Sequence, residues 1–133
     1  MVRSHQSGHA LLVAMIILLL VASAATMVAA HFGFRARLAS QESRRIHLVA
    51  MTDAAIAQSL ANLNESSGYG GVPRREFGGG TISSEITSLP DNRRLILATA
   101  RYRGWDRRVQ MRVELQTGRL VVEAWSSLPP AKP

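Results

Sequence analysis

Apolar and polar positions follow three rhythms along this chain. From Ala10 to Ala30, within the stretch SGHALLVAMIILLLVASAATMVAA (residues 7–30), there is no charged residue. At about 1.5 Å per residue, a helix over those 21 residues spans roughly 30 Å, the thickness of a hydrocarbon core. Leu11, Leu12, Ile16, Ile17, Leu18, Leu19 and Leu20 fall on every side of it, the pattern of a helix immersed in lipid or in an assembly. Its second half is lighter: Ala22, Ser23, Ala24, Ala25, Ala29 and Ala30 are small enough for close helix packing in a membrane.

The second rhythm has a helical period. Between His31 and Asn64 there is no proline, and Gly33 is the only glycine. Ile46, Val49, Asp53, Ile56, Leu60 and Leu63 recur at intervals of three and four, one stripe interrupted by Asp53, with Arg35, Arg37, Glu42, Arg44, Arg45 and Gln58 on the polar side. The two rhythms predict one helix of about 55 residues ending near Asn64. Residues 9–34 form its apolar half and 35–64 its amphipathic half.

Residues 64–80, NESSGYGGVPRREFGGG, hold six glycines and a proline and read as a loop, assigned to 65–80. A phosphate cradle there would need a strand before the glycines and a helix after them, and the pattern offers neither. Beyond the loop the period falls to two. Four strands are expected, at Thr81–Ser88, Arg94–Arg103, Asp106–Gln116 and Arg119–Trp125. A turn through Leu89–Arg93 pairs Ile86 with Ile96 and Ile82 with Ala100. A turn at Gly104–Trp105 pairs Ala100 with Val109, Ala98 with Met111 and Ile96 with Val113. A turn at Thr117–Gly118 pairs Leu115 with Leu120, Val113 with Val122 and Met111 with Ala124. Each of these registers gathers the apolar residues on one face. The expected fold is α+β: a long N-terminal helix covering a four-stranded antiparallel meander over 81–126, with a Pro-rich tail at 127–133.

Composition and charge narrow the chemistry. The chain has 133 residues and no cysteine, so a disulfide framework, a Cys-based metal site and a thiol nucleophile are excluded. Sixteen Lys and Arg against nine Asp and Glu give a net charge of +7, a balance that favours anionic partners. The expected outer sheet face carries Arg101, Arg103, Arg108, Gln110, Arg112, Glu123 and Trp125. Its registers set Arg112 against Glu123, a favourable pair, and Arg101 against Arg108, a repulsive one. Arg101, Arg103, Arg108, Arg112 and Trp125 are therefore the candidate contacts for a polyanion such as DNA, with arginine forks on phosphate and the indole stacked on a base. An acidic protein neighbour or plain solvation would serve the same face. His5, His9, His31 and His47 lack metal-site spacing, and no nucleophile elbow occurs. No cofactor, metal or catalytic residue is expected, and the chain reads as a non-enzyme.

The apolar stretch alone leaves three readings open. It fits a signal peptide cut near the small-x-small Ala22–Ser23–Ala24, a plain single-span anchor, or the stem of an assembled subunit. The segment QSGHALLVAMIILLL, an apolar helix running on into an amphipathic one, a glycine-rich loop and a small antiparallel sheet together resemble a type IV pilin or a type II secretion pseudopilin. The resemblance implies a leader at 1–8, cut after Gly8 by a prepilin peptidase. His9 then becomes the first residue, methylated as in that family. It implies a filament-core helix through Leu12, Val13, Ile16 and Leu19, packed on other subunits after storage in inner-membrane lipid. Localisation would run from the bacterial inner membrane to a periplasmic or cell-surface filament serving adhesion, motility, DNA uptake or secretion. The usual glutamate at the fifth mature position is Val13 here, which matches minor, PilX-like pilins and K-type pseudopilins associated with initiation or the tip. His9 stands where a larger apolar residue is commoner. The alternatives are a single-span membrane protein with a basic extracytoplasmic binding domain, or a minor pilin that binds DNA. Charge bias favours a cytoplasmic sheet, because Arg35, Arg37, Arg44 and Arg45 follow the span while Arg3 and the amine precede it.

Overall fold

The computed structural model describes residues 4–130, with side chains from Gly8 onward. Met1–Arg3 of the expected leader, residues 131–133 of the tail and the side chain of His5 lie outside the described residues. One helix, α1, runs Ser4–Glu65 without interruption for 62 residues, so the two helical rhythms belong to a single element. It closes where Ser66 N donates to Asn62 O (2.9 Å) and Tyr69 N to Ser66 O (3.1 Å), as the glycines begin. The chain divides into two compact units, 1–42 and 43–133.

The first unit is apolar helix with exposed side chains throughout its described part. Ser23 Oγ donates to Leu20 O (2.9 Å) and Thr26 Oγ1 to Ser23 O (2.8 Å), so the two hydroxyls between Ala10 and Ala30 are satisfied within the helix.

The second unit joins the helix end to five strands: β1 Arg75–Phe77, β2 Gly80–Leu89, β3 Arg93–Tyr102, β4 Trp105–Gln116 and β5 Arg119–Leu128. They form one antiparallel sheet in sequence order. The four expected strands are present, and β1 is an addition from inside the predicted loop. It pairs with β2 from Arg75↔Ile82 to Phe77↔Gly80. Residues 70–72 continue along the same edge of β2: Ser84 N donates to Val72 O and Ile86 N to Gly70 O, both at 2.9 Å, and Val72 N donates to Ser84 Oγ at 2.8 Å. Gly71, at φ 121°, is needed there, because a Cβ would collide with Ser84 O.

Two of the three expected registers need correction. The β2–β3 pairing stands, with Ile86↔Ile96 and Ile82↔Ala100. Between β3 and β4 the turn is Arg103–Gly104, not Gly104–Trp105. Both turn residues have positive φ (48° and 79°), the geometry that suits a two-residue hairpin. Every β3–β4 pair is therefore displaced by two residues: Ala98↔Val109, Ile96↔Met111, Arg94↔Val113. The displacement sets Tyr102 opposite Trp105 and Arg101 opposite Asp106. Between β4 and β5 the expected pairs hold from the turn to Val113↔Val122. A bulge then sets Arg112 opposite Ala124 and Met111 opposite Trp125. Glu123 is left in the bulge, and Arg93 Nε lies 3.1 Å from its Oε1 as an ion pair without hydrogen-bond geometry.

The core lies between residues 48–63 of α1 and the helix-side face of the sheet. Leu48, Met51, Ala55 and Ile56 pack on Ile82, Ala98, Ala100 and Val109. Leu63 packs on Ile96 and Val113, with Leu60, Tyr69, Ile86, Met111 and Leu120 around them. The stripe is rotated from the expected one. Ile46 is 61% exposed and Asp53 is also exposed, while Thr52 and Ser59 are fully buried. These two hydroxyls fit the interior because each donates to the carbonyl four residues back, Leu48 O (2.6 Å) and Ala55 O (2.7 Å). A template that counts only apolar residues passes over them.

Candidate functional site

Two surfaces carry the candidate residues. On α1, Leu12, Val13, Ile16 and Leu19 are all exposed. Among the described residues, α1 is the one helix long and apolar enough to cross a membrane. Gly8 is exposed and helical, and a Cβ built on it meets nothing within 4 Å. The fold gives no packing reason for glycine there. His9 is exposed on the next position of the same helix.

The second surface is the sheet face turned away from α1. Arg101, Arg108 and Arg112 lie on it, but the motivating opposition of Arg101 and Arg108 does not occur. Arg108 pairs with Thr99. Arg101 instead grips Asp106 with two hydrogen bonds, Nε to Oδ1 (2.7 Å) and Nη2 to Oδ2 (3.1 Å). The Arg101 hydrogen bond holds the Asp106 carboxyl below its ordinary value, opposed by desolvation and helped by the charges of Arg101 and Arg74. The same hydrogen bond raises Arg101. Arg103 is not on the face: it sits in the turn with its guanidinium 5.2 Å from the Tyr102 ring centre. Trp125 is not there either. The bulge reverses its side, so the indole faces the helix side beside Met111, 55% exposed at the sheet margin. The structure thus separates Arg103 and Trp125 from the other three candidates.

What the face does hold is a shallow concavity of about 280 Å³ lined by Arg74, Thr81, Ser83, Leu97, Thr99, Arg101, Asp106 and Arg108. Sequence reasoning missed Arg74 and Asp106. Asp106 was legible in one respect: a turn centred on Arg103–Gly104 places residues 101 and 106 opposite each other, and their charges are complementary. Arg74 came from a loop with no period to place it. Among the described residues no three His, Asp or Glu come together as a metal-ligand group.

These features define a coarse class: an α+β chain with one helix able to cross a membrane and a second unit that buries one face of an antiparallel sheet. No family model, curated protein or solved structure matches it.

Proposed function

We propose that the chain is a minor pilin- or pseudopilin-like structural subunit, stored in a membrane by the apolar half of α1 and assembled into a filament through that same half. The observation that carries this reading is the continuity of α1. The helix passes from the glycine step at Gly8 through the apolar run and becomes the element that fills the sheet's core. A signal peptide has no need to share a helix with the domain it precedes, and here the apolar segment and the core element are one helix. The exposure of Leu12, Ile16 and Leu19 supports an assembly role, since such a surface leaves lipid only for other apolar surface. Small residues from Ala22 to Ala30 favour close approach of neighbouring helices. The role is architectural rather than catalytic. Mass spectrometry of the mature chain tests it: a first residue at His9 is expected, whereas a start near Ala25 marks an ordinary secreted domain and overturns the reading.

A second reading rests on charge. Arg35, Arg37, Arg44 and Arg45 follow the span, and such residues usually flank it on the cytoplasmic side. A single-span anchor with a cytoplasmic sheet would keep its original N-terminus. A reporter enzyme fused after the sheet, active only in the cytoplasm, selects that reading over the first.

A further inference from the structure

The two edges of the sheet are treated differently. The β2 edge is closed by β1 and by residues 70–72, whose carbonyls accept from Ser84 N and Ile86 N. The β5 edge is the last strand in the sheet order, and among the described residues nothing pairs with it. It is ten residues long and contains no proline. A strand of that kind presents a row of unpaired amides and carbonyls to any chain that can match it. Beside that row Val122 and Trp125 are 51% and 55% exposed.

We propose that β5 is an interface between two copies of this chain, paired edge to edge and antiparallel about a two-fold axis at Val121. The charge pattern selects both partner and register. β5 has two charged residues, Arg119 and Glu123, opposite in sign and four apart. An axis at Val121 sets Arg119 of each copy against Glu123 of the other, twice over. The same register sets Leu120 against Val122, so the exposed Val122 meets an apolar neighbour. Moving the axis to Leu120 places Glu123 opposite Thr117, and moving it to Val122 places Arg119 opposite Trp125; both lose the two charge pairs. The bulge does not oppose this, because Glu123 already turns its carboxylate toward Arg93 and a second arginine shares that acid. Head-to-tail pairing is disfavoured, since the other edge is occupied and β1 offers only three residues. A closed two-fold pair is the geometry that remains.

The chain has no cysteine, which makes the test direct. Facing residues of an antiparallel pair lie about 4.5–5.5 Å apart at Cα, within disulfide reach. The full-length chain in detergent micelles, carrying Val121→Cys, is oxidised mildly and run on a non-reducing gel beside Thr87→Cys, an exposed position on β2. Val121→Cys is expected to form a covalent dimer at least tenfold faster. Adding Arg119→Glu alone or Glu123→Arg alone should abolish that advantage, and the two reversals together should restore it, which also shows that the variants fold. Equal cross-linking at both positions, as contact through α1 alone would give, overturns the proposal. So does a Val121→Cys chain that stays monomeric, that cross-links only to a different protein in membranes, or that is indifferent to the charge reversals. The mature N-terminus plays no part in these readouts, so the result stands apart from the filament reading.

Discussion

Arg101 and Asp106 face each other one pair in from the Arg103–Gly104 turn, and their ion pair gives this surface its pH dependence. Asp106 is lowered from the ordinary carboxylate value chiefly by the Arg101 hydrogen bond. The native state therefore binds that proton less readily than the unfolded chain. The stabilisation is complete above the unfolded value of about 4 and is lost as pH falls through the lowered folded value. Asp106→Asn should be less stable than the parent at pH 7, and the gap should close as pH drops below about 4. Denaturant melts at stepped pH check this, and a gap that stays constant across the range refutes it. Gly8 makes the opposite kind of case. Nothing within 4 Å of a Cβ at Gly8 demands glycine, so a demand, if real, comes from outside the fold. Gly8→Val should leave the precursor uncut with its helix intact, because a peptidase must bring the backbone at the cut close to its own groups. An unchanged mature mass in that variant removes Gly8 from the processing assignment.

At the scale of elements, the helix and the faces of the sheet were legible, and the registers only in part. Alternation with period two tells which residues share a face, and it is blind to a slip of two. That is why the β3–β4 pairing came out displaced while every buried residue stayed on its face. What decides between the two registers is turn chemistry, a left-handed residue followed by glycine, together with the match of Arg101 to Asp106. The bulge at Val122–Ala124 has no such signal in the strand, and it alone moved Trp125 to the helix side. β1 was invisible because three residues cannot show a period. It exists because the 70–72 segment has already drawn the chain along β2. The helix stripe is the clearest point of measurement. Met51 is 1% exposed among Leu48, Ile82 and their neighbours, so Met51→Ala should cost about 2–5 kcal/mol. Ile46, a member of the stripe expected from sequence, should cost under about 0.5 kcal/mol when changed to alanine. Chemical denaturation of both variants separates the two stripes, and comparable losses would favour the one read from sequence.

At the scale of the whole molecule, the candidate surfaces were unequally readable. The apolar half of α1 is visible in composition alone, since 21 residues without charge need no tertiary information. The outer sheet face depends on pairing, and two register errors were enough to invent a repulsion and misplace an indole. The units 1–42 and 43–133 each hold their own contacts, and both described core clusters draw only on the second. A chain from Ser43 onward is expected to fold alone, with a cooperative thermal transition and strand-rich circular dichroism. A non-cooperative melt would mean that the sheet needs the apolar half to fold. That half has one further property, set by Ser23 and Thr26. Both hydroxyls spend their hydrogen bonds on carbonyls of their own helix. Between Ala10 and Ala30 the helix therefore carries no polar side chain that a neighbour must answer, and the preference of that stretch between surroundings is a matter of contact area and shape. A stretch of this kind could exchange acyl chains for protein side chains without giving up a hydrogen bond in either place, and fit alone would grade the exchange.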